Sequence, residues 1–421
     1  MKRFLLLLLT FFTQYMVPLQ ALPAVIENKS YDSTIRTVQC YPYGDIIAMP
    51  IYRLDAAVPL VFSFDKLGST IENYNYTLVA CDRNWQPVNV STLDYLEGFS
   101  DGTISNYQVS FNTTIPYVHY ILNFPNADMK PTQSGNYALV VYSSNIDEPV
   151  ITQRIMVVES KITTSAFVTI PKIGDINTTQ EIVFECNIKD AGIQNAQREI
   201  FATVMQNNRS DNAISNISPI YERLNTLSFD WNGKIVFESG REFRRLDMRT
   251  LRFKGDGIAS IYSNAGANSV IMHYDKNRNN EKYFIEADIN GSYFTDVIEY
   301  RNDAVESDYA EVTFKYFSEF PVPEDIYIIG SFNNWQCDST SMLKYDTSEH
   351  SYYTTQTLKL GYYNYTYVTK SDANLPSFRF TEGNFFNTEN DYTIFIYYMP
   401  FGANFDRLIG VTKINSNTNR F

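Results

Sequence analysis

Histidine is almost missing from this chain: its 421 residues include only His119, His273 and His350. None stands at metal-ligand spacing from another, so a zinc centre or a nucleophile–histidine pair would have to be assembled across an interdomain cleft. Three separate surface or packed histidines is the simpler reading. Cysteine is nearly as sparse. Cys40, Cys81, Cys186 and Cys337 never form a CxxC pair, and only Cys40 and Cys81 fall within one expected domain. An oxidising compartment permits a disulfide between these two, but two separate buried thiols are the simpler reading. Also lacking are the GxSxG, HExxH, phosphate-loop and dinucleotide signatures. Gly255-Asp-Gly257 is too short to cradle a phosphate and reads as a turn. The chain is therefore read as a non-enzyme with no catalytic residue, cofactor or metal, although a carboxylate-pair hydrolase leaves no linear signature. Asp303, Glu306 and Asp308 offer oxygen ligands for calcium but read better as a solvated linker.

Positive charge is in deficit. Against 47 acidic residues stand 34 basic ones, a net charge of -13. Such a chain repels phosphate backbones, which argues against a nucleic-acid partner, and it has no basic block suited to anionic lipid. Long apolar runs are lacking too, apart from Phe4 to Phe12, which follows Lys2 and Arg3. Residues 1–24 read as a cleaved secretory signal ending at Ala21 or Ala24. An uncleaved membrane anchor is the alternative, but Gln14 and Pro18 cut the run short of the roughly 20 residues a span needs. No cysteine near the cleavage site suggests a lipid anchor.

Aromatic residues, by contrast, are abundant at 15%, with 32 Tyr and 29 Phe. They pack well on pleated, half-buried surfaces. Short alternating runs recur throughout: Val58 to Phe64, Tyr74 to Ala80, Asn136 to Tyr142, Val150 to Val158, Glu181 to Asn187, Tyr309 to Phe317, Ile326 to Ile329, Gly361 to Val368 and Tyr392 to Tyr398. The pattern predicts an all-β chain of tandem immunoglobulin-like β-sandwiches. One helix is expected over Ser91–Gly98, with a cap at Ser91 and a glycine stop. Polar stretches at Ser160–Ser165 and Tyr300–Ser307 divide the mature chain into sandwiches at 25–159, 160–304 and 305–421. Gln206 to Asn212 reads as an exposed loop.

Ile328-Ile-Gly-Ser-Phe-Asn-Asn-Trp335 and Gly361-Tyr-Tyr-Asn-Tyr-Thr-Tyr367 resemble the turn and closing strand of early-set, glycogen-binding-type modules. Phe332 and Trp335 would turn inward to seal one end of the sandwich, and Asn333 would shape the turn. Glucan binders of that family carry a lysine where this chain has Thr366, and a second tryptophan where it runs Lys370-Ser-Asp-Ala-Asn374. The likeness therefore extends to the fold and not to the ligand.

A wider set of motifs runs along the chain. It comprises Asn73-Tyr-Asn-Tyr76, Cys81-Asp-Arg-Asn-Trp85, Tyr95-Leu-Glu-Gly98-Phe99, Ser110-Phe-Asn-Thr113 and Ser134-Gly-Asn-Tyr137. Gly240-Arg241-Glu-Phe243-Arg244-Arg245, Glu382-Gly383-Asn384-Phe-Phe-Asn-Thr-Glu-Asn390 and Asp406-Arg-Leu-Ile-Gly410 complete it. Over about residues 25–410 the chain resembles the plug proteins of the Bacteroidetes type IX secretion system. The resemblance implies a periplasmic protein that docks on the inner opening of a large outer-membrane β-barrel and closes it, with no small-molecule substrate. Any one motif residue could serve packing or the interface. A carbohydrate-binding accessory protein of a glycan-uptake system is the alternative.

Overall fold

Strand pairing sorts the chain into three β-sandwiches, each with its own apolar core. The computed structural model describes residues 22–420 except 57, 265, 301 and 372–374, so most of the expected signal segment lies outside the described residues. Side-chain alternation explains the elements. In Tyr309–Phe317, Ala310, Val312, Phe314 and Tyr316 point into a core, while Glu311, Thr313 and Lys315 stay half-exposed. That period of two is what the aromatic-rich runs predicted.

The first sandwich lies within residues 29–158. One sheet runs Lys29–Ser30, Pro149–Val158, Gly135–Tyr142, Asn75–Cys81, Asp101–Thr103, and the other Ile35–Pro42, Leu60–Leu67, Tyr117–Phe124, Asn106–Val109. Leu60, Phe62 and Phe64 face inward, and Phe64 stacks on Tyr120 at 5.0 Å and 9°. Where a helix was expected, Thr92–Asp94 forms a single 3-10 turn, with the Ser91 hydroxyl accepting from the Leu93 amide. The chain then becomes strand Leu96–Gly98, paired with Met129–Pro131. One turn leaves too few internal hydrogen bonds for a helix, and the neighbouring strand supplies better ones.

The second and third sandwiches are interleaved, which corrects the boundaries expected near 304 and 305. Thr163–Thr169, Thr179–Asn187, Thr226–Ser228 and Tyr221–Arg223 form one sheet of the second sandwich. Its facing sheet runs Ile214–Ile217, Ile200–Gln206, Asp391–Tyr398, Arg407–Asn415, so the last two strands come from the C-terminal stretch. The third sandwich spans 244–370 and is inserted between them. Its sheets are built on Gly361–Lys370, which pairs with Arg244–Asp247, Tyr293–Thr295 and Asp325–Ile329, and on Ala267–Asp275 beside Tyr309–Phe317 and Ser351–Lys359. The chain enters and leaves the insertion at one place. The Gly240 amide donates to Asn384 Oδ1, and the Phe385 amide donates to the Gly240 carbonyl.

The stretch expected to be a solvated linker is also packed. Val305, Ser307 and Asp308 are buried against the first sandwich. No group of His, Cys, Asp or Glu among the described residues could hold a metal ion. Nor is Gln206 to Asn212 an open loop throughout: Gln206, Asn207 and Arg209 are buried, with the Arg209 guanidinium over the rings of Phe378 and Trp335. All four cysteines are free thiols.

Candidate functional site

The chemistry of this molecule is concentrated where its sandwiches meet. Alternation along Leu60–Leu67 puts Asp65 on the outer face of the first sandwich, opposite His119 on the next strand. The same rule puts Lys359 opposite Tyr309 on the third sandwich. These two cross-strand pairs face one another. Lys359 Nζ lies 2.7 Å from Asp65 Oδ2, the Tyr309 hydroxyl donates to the same oxygen at 2.6 Å, and His119 Nδ1 lies 2.6 Å from Oδ1. An ionised carboxylate only accepts, so Nδ1 carries the ring proton. Lys359 also donates to the Ala304 carbonyl and sits 4.2 Å from the Tyr117 ring centroid. The side chains of Lys359 and Asp65 are each 1% exposed. Burial penalises the Asp65 carboxylate, but Lys359 and His119 outweigh it and hold its pKa below the ordinary range. Next to this pair, Asp308 accepts from the Thr114 and Ile115 amides of the first sandwich and from Asn268 of the third.

A second seam joins the first and second sandwiches. Arg83 Nη1 pairs with Asp406 at 2.8 Å, the Arg83 amide donates to the other carboxylate oxygen, and Nε reaches Asn216. The Tyr397 hydroxyl donates to Asn136, and Arg407 pairs with Glu159 at 3.0 Å.

Most of the motif residues named from the sequence lie in the interior. Cys81 is buried, and Tyr95 donates to the Leu78 carbonyl while packing on Tyr137. Gly98 has φ 101°, and a Cβ there would run into the Asp128 carbonyl. Arg244 and Glu382 come together inside the third sandwich: Glu382 is fully buried and accepts from Arg244 Nε at 2.9 Å and Arg278 Nε at 2.7 Å. Burial opposes its charge, yet the two guanidiniums lower its pKa to about 2. Arg241 donates to the Arg278 and Lys282 carbonyls. Asn384 and Gly383, with φ 77°, form the return from the insertion. Asn333 closes its turn by accepting from the Gly330 amide and donating to the Ile328 carbonyl. Phe332 packs edge-on against Tyr363, and Trp335 against Phe243. Trp85 is half-buried beneath the Arg154 guanidinium. Two aromatic side chains of the motifs are well exposed, Phe99 at 67% and Phe111 at 63%. Thr366, the position of the glucan binders' lysine, is buried and faces Glu382.

Sequence reasoning missed Asp65, Lys359 and Tyr309, and it read His119 as solitary. The available signal was Asp65 itself, the one acid of strand Leu60–Leu67.

Comparison with known proteins bears on the whole architecture. A crystal structure of a hypothetical protein from Parabacteroides merdae ATCC 43184 superposes with a TM-score of 0.90 at 30% identity, covering 93% of this chain and all of that one. A family model described as the first domain of the type 9 secretion system plug protein matches residues 35–159. The chain belongs to the type 9 secretion system plug family. Plug proteins are structural components of an envelope secretion machine rather than enzymes, and their partners are proteins of the translocon. The serine-rich repeat protein Srr2 of Streptococcus agalactiae, at 8% identity and a TM-score of 0.15, adds nothing to this assignment. No curated protein matches the chain. In the plug fold seen here, the matched first domain carries one half of both seams.

Proposed function

We propose that this plug protein is exported with its first 24 residues removed, resides in the periplasm, and closes the periplasmic opening of the large outer-membrane barrel of the translocon by docking on it. The observation that carries the reading is the buried Asp65–Lys359 contact at 2.7 Å, which clamps the family-matched domain to the inserted one. A body that blocks a wide channel works by steric exclusion. It must resist bending under the load of the channel, and buried charged clamps between sandwiches resist bending better than a solvated linker does. Docking and release call for a polar, moderate interface rather than a core-like one. Exposed Phe99 supplies an aromatic anchor of the kind such interfaces use.

The test is deletion of the gene with the barrel protein left in place. Increased leakage of large solutes across the outer membrane, reversed by the wild-type chain and only weakly by Phe99→Ala, is the expected result. Unchanged permeability in the deletion strain would overturn the plugging role.

A further inference from the structure

The three sandwiches meet around a cavity of about 350 Å³. This lies at the lower end of the roughly 300–1,000 Å³ typical of ligand pockets. Each sandwich contributes a wall: Trp85 and Arg154 from the first, Asn207 and Asn208 from the second, Asn334 and Trp335 from the third. The cavity reaches solvent beside Ile47 and Ser215, both exposed.

Backbone strain gathers here. Twelve non-glycine residues among those described have positive φ, and five of them line this one cavity: Trp85 (64°), Asn207 (50°), Asn208 (59°), Asn334 (53°) and Trp335 (61°). Asparagine tolerates the left-handed region, but for tryptophan it is costly and persists only when the surroundings over-determine it, as they do at ligand clamps.

The charge is equally uneven. Although the chain has 47 acidic residues, none lines the cavity. Of its two arginines, Arg83 is neutralised by Asp406. Arg154 has no carboxylate partner within salt-bridge distance among the described residues. Its Nε donates to the Ile26 carbonyl, and its guanidinium lies 4.7 Å from the Trp85 ring centroid. Burial lowers its pKa to about 10, so it stays charged at neutral pH. Three amides on the walls, Gln39, Asn208 and Asn334, make no side-chain hydrogen bond among the described residues, and one comes from each sandwich.

An unpaired guanidinium over an aromatic ring suits a carboxylate. Free amides, each both donor and acceptor, suit the peptide backbone. We infer that this junction is a binding site for an extended, acidic peptide segment of a partner protein, its carboxylate on Arg154 and its backbone on Gln39, Asn208 and Asn334. The site goes beyond the plugging role and does not depend on which protein supplies the segment.

The experiment is selection of displayed random heptapeptides on the full chain, followed by titration of the leading peptide as a synthetic compound. Two of the three tryptophans line the cavity, so tryptophan emission reports binding directly. The expected outcome is enrichment of Asp and Glu, with affinity reduced at least tenfold by R154Q and lost in A213W, which fills the opening. Asn208→Gly, which keeps the left-handed backbone, and Gln39→Leu leave both seams untouched and should each weaken binding several-fold while the melting temperature holds. Peptides without acidic enrichment, or peptides that bind R154Q and A213W as well as wild type, would overturn the inference. Free aspartate binding as tightly as the peptide would also overturn it, by reducing the site to an anion pocket. Leakage in the deletion strain bears only on plugging, and peptide binding only on this cavity.

Discussion

Lys359 and Asp65 show what a buried charge contributes at a seam. Removing one partner strands the other without compensation, which typically costs about 3–5 kcal/mol. Lys359→Met is therefore expected to destabilise the protein by about that amount in urea unfolding, and Lys359→Met combined with Asp65→Asn to recover part of it. The pH dependence follows from the same groups. Asp65 and Glu382 have folded pKa values below the ordinary carboxylate range, Glu382 at about 2. Their contribution is complete above pH ~4, the ordinary carboxylate value, and is lost as the pH falls through the folded pKa. Asp288 acts in the opposite direction. Burial raises its pKa to about 6, so stability falls as the pH rises from about 4 to 6. Denaturation curves from pH 2 to 7 should show both limbs, and Asp65→Asn should flatten the acid one. Gly291 is a purely steric case, with φ 77° and a would-be Cβ inside the Trp335 ring. Gly291→Ala is expected to cost at least ~1–3 kcal/mol and to shift the tryptophan emission.

At the scale of elements, the strands were legible because their periodicity is local. Tyr309–Phe317 was bounded correctly by alternation alone, and Asn136 to Tyr142 nearly so. Pairing is not local. Ile200–Gln206 bonds to Asp391–Tyr398, almost two hundred positions away, and no propensity encodes that choice. The seam was hidden for a related reason. Alternation assigns Asp65 and Lys359 to the wet faces of their sheets, and only the docking of two sandwiches makes those faces dry. The turn at Asn333 was readable because its chemistry is contained in six residues. An element-scale prediction follows from the insertion. A fragment of residues 241–387 holds a complete core and should unfold cooperatively alone, whereas 160–304 lacks two strands of its sheet and should not. Calorimetry and hydrogen exchange on the two fragments would check this.

At the scale of the molecule, the seams should make three sandwiches behave as one. Wild-type protein is expected to melt in a single calorimetric transition at neutral pH, and Lys359→Met with Asp406→Asn to divide it into separable steps. Retention of one transition in that double variant would mean that apolar contacts, not the charged clamps, couple the units. The insertion also gives the chain a timetable. The first sandwich has all its strands once residue 158 has been synthesised, and the third once residue 370 has. The second must wait for Asp391–Tyr398 and Arg407–Asn415, and until then Ile200–Gln206 presents a bare strand edge. Such edges recruit foreign strands. A chain cut short before residue 390 should therefore capture chaperones, whereas one that extends past residue 415 should not, a contrast that pull-downs of the two truncations can reveal.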